Sequence, residues 1–226
     1  MKYEILGDNL PILSITMNRG DTVYSEPGGK SWYIGNIDID TNTGGAKKMF
    51  GRLLSGEQLF RSRYQALEDN CHISFASSFP GTIVPYKLNG TNSIIAQKDS
   101  FLCMQDGVDL KMYNSGIKKG LFGGEGFFLQ EFKGNGLVFL EIDGYCFEYD
   151  LKANEKIVVD TGLVAAFESS VSMNIETIKG VKNIFFGNEG IFNTTLTGPG
   201  KIYLQSMSIA NLANIISPHL PLSENK

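Results

Sequence analysis

Histidine, tryptophan and cysteine are scarce in this 226-residue chain, which has two, one and three of them. With only His72 and His219 present, a Ser-His-Asp or Cys-His arrangement has just two candidate bases, and no supporting motif surrounds either. A protein-built zinc site needs three or four ligands in close-set pairs. Cys71 and His72 are adjacent, and neighbours on a strand point to opposite faces. Cys71, Cys103 and Cys146 are odd in number, widely spaced and near apolar residues. They are expected to be free thiols packed as small hydrophobes in a reducing compartment. No metal or cofactor is expected. No stretch approaches the ~20 uninterrupted apolar residues of a membrane helix, and Met1–Leu6 lacks an apolar signal region. These absences predict a soluble cytoplasmic protein, so the Asn-x-Thr sequons at Asn89 and Asn193 carry no weight. A basic excess is also missing: 20 basic against 24 acidic residues give a net charge of −4, which argues against nonspecific nucleic-acid binding.

What is abundant is glycine and aromatics: Gly 26, Phe 15 and Tyr 9 against Pro 7, a composition suited to many short strands joined by tight turns. Strands are expected around Leu10–Ile15, Thr22–Tyr24, Ser31–Ile34, Ile73–Phe75, Thr82–Val84, Ser93–Ala96, Phe101–Met104 and Val108–Met112, then at Ile157–Val159 and Val164–Phe167. Ile37-Asp38-Ile39-Asp40 alternates apolar and acidic, the period of a half-buried strand. Residues 46–54 switch to helical spacing, with Met49, Phe50, Leu53 and Leu54 on one face. Asp143-Gly144, flanked by the β-rich runs of Leu137–Leu151, predicts a hairpin with a two-residue turn. A short amphipathic helix is expected over Ser208–Ile216, stopped by Ser217-Pro218.

The strongest signal is internal repetition. Leu121-Phe122-Gly123-Gly124-Glu125-Gly126-Phe127-Phe128 returns as Phe185-Phe186-Gly187-Asn188-Glu189-Gly190-Ile191-Phe192, 64 positions later (189 − 125). A fainter copy, Leu54-Ser55-Gly56-Glu57-Gln58-Leu59-Phe60, lies 68 positions upstream (125 − 57). The intervening halves repeat too: Val23, Glu26, Gly28, Tyr33 and Ile37 map onto Ile157, Asp160, Gly162, Phe167 and Val171 at a shift of 134 (157 − 23). They map onto Ile94, Gln97, Asp99, Met104 and Val108 at a shift of 71 (94 − 23). Three units follow, 1–79, 80–144 and 145–210, with a tail over 211–226. No Ser/Pro-rich linker separates the units, so they are expected to pack as one body.

In each motif the glycines, Gly56, Gly123, Gly124 and Gly187, allow positive φ or close backbone approach. The carboxylates of Glu57, Glu125 and Glu189 suit the capping of backbone N–H groups. A structural role is the expectation, because acid–base chemistry needs groups in contrasting environments and equivalent copies share one. Basic residues precede every copy: Lys47, Lys48 and Arg52, then Lys118 and Lys119, then Lys179 and Lys182. Gathered by the repeat, they could meet an anionic ligand, RNA or a membrane surface, which is the alternative reading. Pro27-Gly28-Gly29-Lys30-Ser31 has Tyr24 where a phosphate-binding loop needs glycine, so a β-turn is expected. Gly134-x-Gly136 and Gly198-x-Gly200 lack the third glycine of a dinucleotide fingerprint and are expected to be turns. Trp32 and Tyr33 suit core or subunit packing better than a stacking platform.

Leu53-Leu54-Ser55-Gly56-Glu57, Phe79-Pro80-Gly81-Thr82-Ile83-Val84-Pro85, Gly120–Gly126, Val159-Asp160-Thr161-Gly162 and Thr197-Gly198-Pro199-Gly200 stand in an order that resembles the altered-inheritance-of-mitochondria family. The resemblance spans about residues 1–207. It implies an all-β fold of three tandem β-sandwich repeats. They would be of the double-stranded β-helix class, similar to the tryptophan RNA-binding attenuation protein, assembled as a ring-like homotrimer. It offers no catalytic residues to carry over. The first copy is weak and Asn188 replaces the motif's second glycine, departures that bear on local turns. The functional expectation is a non-enzymatic oligomeric scaffold or partner-binding protein. A binding module for an anionic surface and a cupin-like enzyme are the competing readings.

Overall fold

Runs of alternating apolar and polar residues recur along the chain, and a computed structural model shows mostly strands over the residues it describes, 1–41, 61–113, 128–177 and 192–220. The first group comprises β1 (Lys2–Leu6), β2 (Ile12–Met17), β3 (Thr22–Ser25), β4 (Trp32–Ile34), β5 (Ile37–Asp40), β6 (Ser62–Ala66) and β7 (Cys71–Ala76). The second comprises β8 (Gly81–Asn89), β9 (Ile94–Gln97), β10 (Phe101–Gln105), β11 (Val108–Tyr113) and β12 (Leu129–Asp143). The third comprises β13 (Cys146–Leu151), β14 (Lys156–Asp160), β15 (Val164–Glu168), β16 (Ser172–Thr177), β17 (Phe192–Thr197) and β18 (Gly200–Gln205). The one α-helix among the described residues, α1 (Ile209–Ile216), follows. The Ser208 hydroxyl caps it by accepting from the Asn211 N–H at 3.2 Å, and it gives way to a 3₁₀ turn at Ser217–His219. The predicted helix over 46–54 lies outside the described residues.

Each strand shows why it forms. In β2, Leu13, Ile15 and Met17 are buried while Ile12, Ser14 and Thr16 are half-buried, so one face enters the core. β6 does the same with Ser62, Tyr64 and Ala66. The pairings then follow one scheme three times. In the first group β7 lies between β2 and β4, and β6 lies between β3 and β5. In the third, β18 lies between β13 and β15, and β17 lies between β14 and β16. In the second, the single 15-residue β12 serves both roles. Its first part pairs with β9 and β11, and its second part with β8 and β10. β1 is an addition that pairs with β2.

Two local expectations are corrected. Gly134 and Gly136 do not turn the chain back. They sit inside β12 with φ of 115° and 155°, and the Asn135 N–H donates to the Gly107 carbonyl at 2.9 Å. Glycine lets one strand pass from the first pairing set to the second through a region that side chains rarely adopt. Likewise the turn at Asp143-Gly144 exists, but β12 and β13 are not partners. β12 is occupied on its two edges by β8 and β10, and β13 pairs with β18. The turn therefore passes the chain from the second group to the third instead of closing a hairpin.

Among the described residues three apolar cores correspond to the three groups, and each of the first two borrows from the group that follows. The core of the first group, with Leu13, Tyr64, Ile73 and Phe75, takes in Ile83, Leu102, Cys103 and Phe139 of the second. The core of the second, with Leu88, Ile94, Phe132 and Leu140, takes in Ala165, Ala166 and Tyr203 of the third, with Cys146 packed against it. The core of the third group, with Val164, Phe167, Leu196 and Ile202, receives Ile95 and Leu129 from the second. Strand pairing joins the groups in the same way. β10 pairs with β3 through Cys103↔Ser25, Met104↔Tyr24 and Gln105↔Val23. β15 pairs with β9 through Ala166↔Ala96, Phe167↔Ile95 and Glu168↔Ile94.

Candidate functional site: two open strand edges

The basic residues Lys47, Lys48, Arg52, Lys118, Lys119, Lys179 and Lys182 all lie outside the described residues, as do the motif residues Gly56, Glu57, Gly123, Gly124, Glu125, Gly187 and Glu189. The other sequence candidates are placed. Cys71 and Cys103 are buried and Cys146 half-buried, all as free thiols. Burial pushes the Cys103 thiol well up, and burial with Glu148 nearby takes Cys146 to about 11. Cys71 faces the core while His72 faces out, with its Nδ1 3.3 Å from the Thr16 hydroxyl. Among the described residues no group of three or more His, Cys, Asp or Glu is placed to hold a metal ion, and no helix is long and apolar enough to cross a membrane. Pro27–Ser31 forms the expected turn, the Gly29 N–H donating to the Glu26 carbonyl at 3.0 Å.

Trp32 and Tyr33 are not in a core. They stand on β4, where Trp32, Tyr33 and Ile34 are 49%, 42% and 66% exposed. Their counterparts one group on are Cys103, Met104 and Gln105, and in the third group Ala166, Phe167 and Glu168. Cys103, Met104, Ala166 and Phe167 are all 0% exposed. β10 and β15 are covered because a preceding group offers them β3 and β9. β4 is paired only with β7 among the described residues.

The opposite end has the matching deficiency. β3 and β9 each carry a residue that leaves its own core for the next group: Tyr24 packs against the second core, and Ile95 lies within the third. Their counterpart on β14 is Val158, 60% exposed. β14 is paired only with β17 among the described residues. On the adjoining strand, Tyr86 of β8 is buried, forms an edge-to-face contact with Tyr203 at 6.4 Å and donates its hydroxyl to Glu168 Oε1 at 2.9 Å. Its counterpart Tyr149 on β13 is 46% exposed. Strand edges that no second described strand pairs, with large apolar side chains beside them, form a template for another strand.

A second cluster lies within the closed part of the molecule. The nearly buried Glu141 accepts at Oε2 from the Ser78 N–H at 2.7 Å and from the Ser77 and Ser78 hydroxyls at 3.0 Å each. It thereby fixes the turn leading into β8. Burial pushes Glu26 up; Lys98 opposes this, while Asp99 and Glu141 add to it. Burial first, then Glu141, takes Asp143 to about 6 against a hydrogen bond from the Ile209 backbone. Hydrogen bonding and packing account for this cluster as part of the architecture.

Sequence reasoning named Trp32 and Tyr33 but missed Val158 and Tyr149. The signal that could have found them was the internal alignment: Tyr24, Ile95 and Val158 are equivalent, and a position apolar in all three copies needs cover in all three. A family model described as mitochondrial biogenesis AIM24 matches residues 3–207. An uncharacterized protein of Streptococcus pyogenes serotype M6 is 27% identical over 225 residues, covering 95% of this chain and 89% of that protein. The X-ray crystal structure of a Streptococcus pyogenes protein has a TM-score of 0.81 at 23% identity, covering 97% of this chain and 99% of that one, a likeness of fold.

Proposed function

The chain belongs to the mitochondrial biogenesis AIM24 family, and on that footing we propose that it is a non-enzymatic, cytoplasmic scaffold that works as a homo-oligomer. The architecture we infer is three tandem β-sandwich units, 1–79, 80–144 and 145–210, of the class typified by the tryptophan RNA-binding attenuation protein. The oligomer is the ring-like trimer that the family resemblance implies. One observation carries this reading: apolar residues buried between groups inside the chain have exposed counterparts at its two ends, Trp32 on one and Val158 on the other. A head-to-tail contact of this kind is heterologous, and it makes a closed ring when the rotation per copy closes.

Size-exclusion chromatography with light scattering tests it. A trimer has three times the 24.8 kDa chain mass. A monomer at micromolar concentration overturns the proposal.

A further inference from the structure

We propose that the contact between copies is a strand pairing of defined register, β4 of one copy against β14 of the next, with Trp32 opposite Val159, Tyr33 opposite Val158 and Ile34 opposite Ile157. This deepens the oligomer reading and rests on it. The two pairings inside the chain fix the register independently. Carrying Met104↔Tyr24 to the ends moves Met104 back by 71 to Tyr33 and Tyr24 forward by 134 to Val158. Carrying Phe167↔Ile95 moves Phe167 back by 134 to Tyr33 and Ile95 forward by 63 (158 − 95) to Val158. Both routes give the same pair. A one-residue slip would turn every side chain to the other face, so agreement between them is a constraint on geometry.

The side chains fit this register. Cys103 and Ala166 each enter the core of the preceding group, so Trp32 enters the third core of the neighbouring copy. That core carries the half-buried Ile157 and Val159 on the inner face of β14. At the two inner joins this position holds a small residue. At the open end it holds the largest side chain available, and the third core has no other donor from a following group among the described residues. Val158 in turn projects onto the first group of the next copy, as Tyr24 and Ile95 project onto their followers. The occupant is a second copy of this chain because the surface each edge requires is the surface the other end presents. Within one chain the two edges remain apart, in the β1-β2-β7-β4 and β14-β17-β16 sheets.

Opposed residues on antiparallel strands have Cβ atoms about 4.5–5.5 Å apart, within adjustment of disulfide geometry. We would therefore make Tyr33→Cys and Val158→Cys in a Cys146→Ser background, separately and together, and oxidise them mildly. The expected result is a covalent dimer when the two single variants are mixed and a covalent trimer for the double variant. Neither single variant alone should link. Light scattering on the same samples, reduced, gives the mass. If the mass is trimeric but linking fails, or is stronger for Tyr33→Cys with Lys156→Cys, the register is wrong while the oligomer stands. If the mass is monomeric, the oligomer reading has failed and this inference with it. A disulfide within one chain also overturns the inference.

Discussion

β10 and β4 have the same place in the pairing scheme and opposite surroundings. β10 lies between β12 and β3 with Cys103 and Met104 buried; among the described residues β4 lies on β7 alone, with Trp32, Tyr33 and Ile34 exposed. β9 and β14 differ in the same way: β9 lies between β12 and β15, and β14 on β17 alone among the described residues. Hydrophobicity alone does not explain the difference, since the exposed strands carry the apolar runs Trp32-Tyr33-Ile34 and Ile157-Val158-Val159. The difference comes from whether another group precedes or follows. Complete burial of a large apolar side chain contributes about 1.5–3 kcal/mol. The exposed parts of Trp32, Tyr33, Ile34 and Val158 together are then worth several kcal/mol. Association costs about 4–15 kcal/mol, so one such contact is marginal and a closed ring, in which every copy makes two, is favoured.

The comparison breaks first if the closed joins are not what holds the chain together. Phe167 is fully buried on β15 and faces Ile95 across a join, so Phe167→Ala should lose about 3–5 kcal/mol in denaturant unfolding. A loss below about 1 kcal/mol would mean that the join contributes little.

At the open end the expectation separates folding from assembly. Val158→Lys should leave the stability of the isolated chain within about 0.5 kcal/mol, as for other exposed positions, while reducing the mass in light scattering to that of one chain. The emission of Trp32, the single tryptophan, should move to longer wavelength in this variant. An unchanged mass would exclude β14 from the contact.

A finer comparison uses two equivalent tyrosines. Tyr86→Phe removes a hydroxyl that donates to Glu168 across a closed join and should cost about 1.5–3 kcal/mol. Tyr149→Phe, on the exposed counterpart, should change the unfolding of the isolated chain by less than about 0.5 kcal/mol. Equal effects would erase the distinction between the two regions.

The smallest effect concerns pH. Asp143, where the chain passes between two closed groups, keeps its proton to about 6 in the folded state, whereas an unfolded aspartate releases it near ~3.9. The folded state therefore binds more protons between those values, and stability from this group falls as pH rises from about 4 to 6. Asp143→Asn removes that dependence, so the variant should gain on the parent between about pH 4 and pH 7 in paired urea titrations. A constant difference would refute it.

Most strands were legible because a two-residue period leaves its mark on each segment alone: Ile37–Asp40 is one case, and Leu13, Ile15 and Met17 on β2 another. The α1 helix was legible from its spacing and from Pro218. Partnership was not. Asp143-Gly144 is a local signal for a turn, but which strands then pair depends on edges already taken by β8, β10 and β18, residues far apart in sequence. Gly134 and Gly136 misled for a related reason: glycine permits positive φ both in a reversal and in a strand that bends without reversing. Trp32 and Tyr33 carried a legible preference for packing, but nothing local to them says that β7 is the only described strand that pairs with β4. The residues singled out around the glycine motifs lie outside the described structure, so the surface that now bears on function came from comparing equivalent positions.

Amide hydrogen exchange on the full chain, resolved over β4 and β14 across a dilution series, tests the central claim most directly. Strands paired between copies should be protected at high concentration to the degree seen for β3 and β10, and should lose that protection as the protein is diluted while β3 and β10 keep theirs. Rapid exchange of β4 and β14 at every concentration, with β3 and β10 protected, would contradict the account.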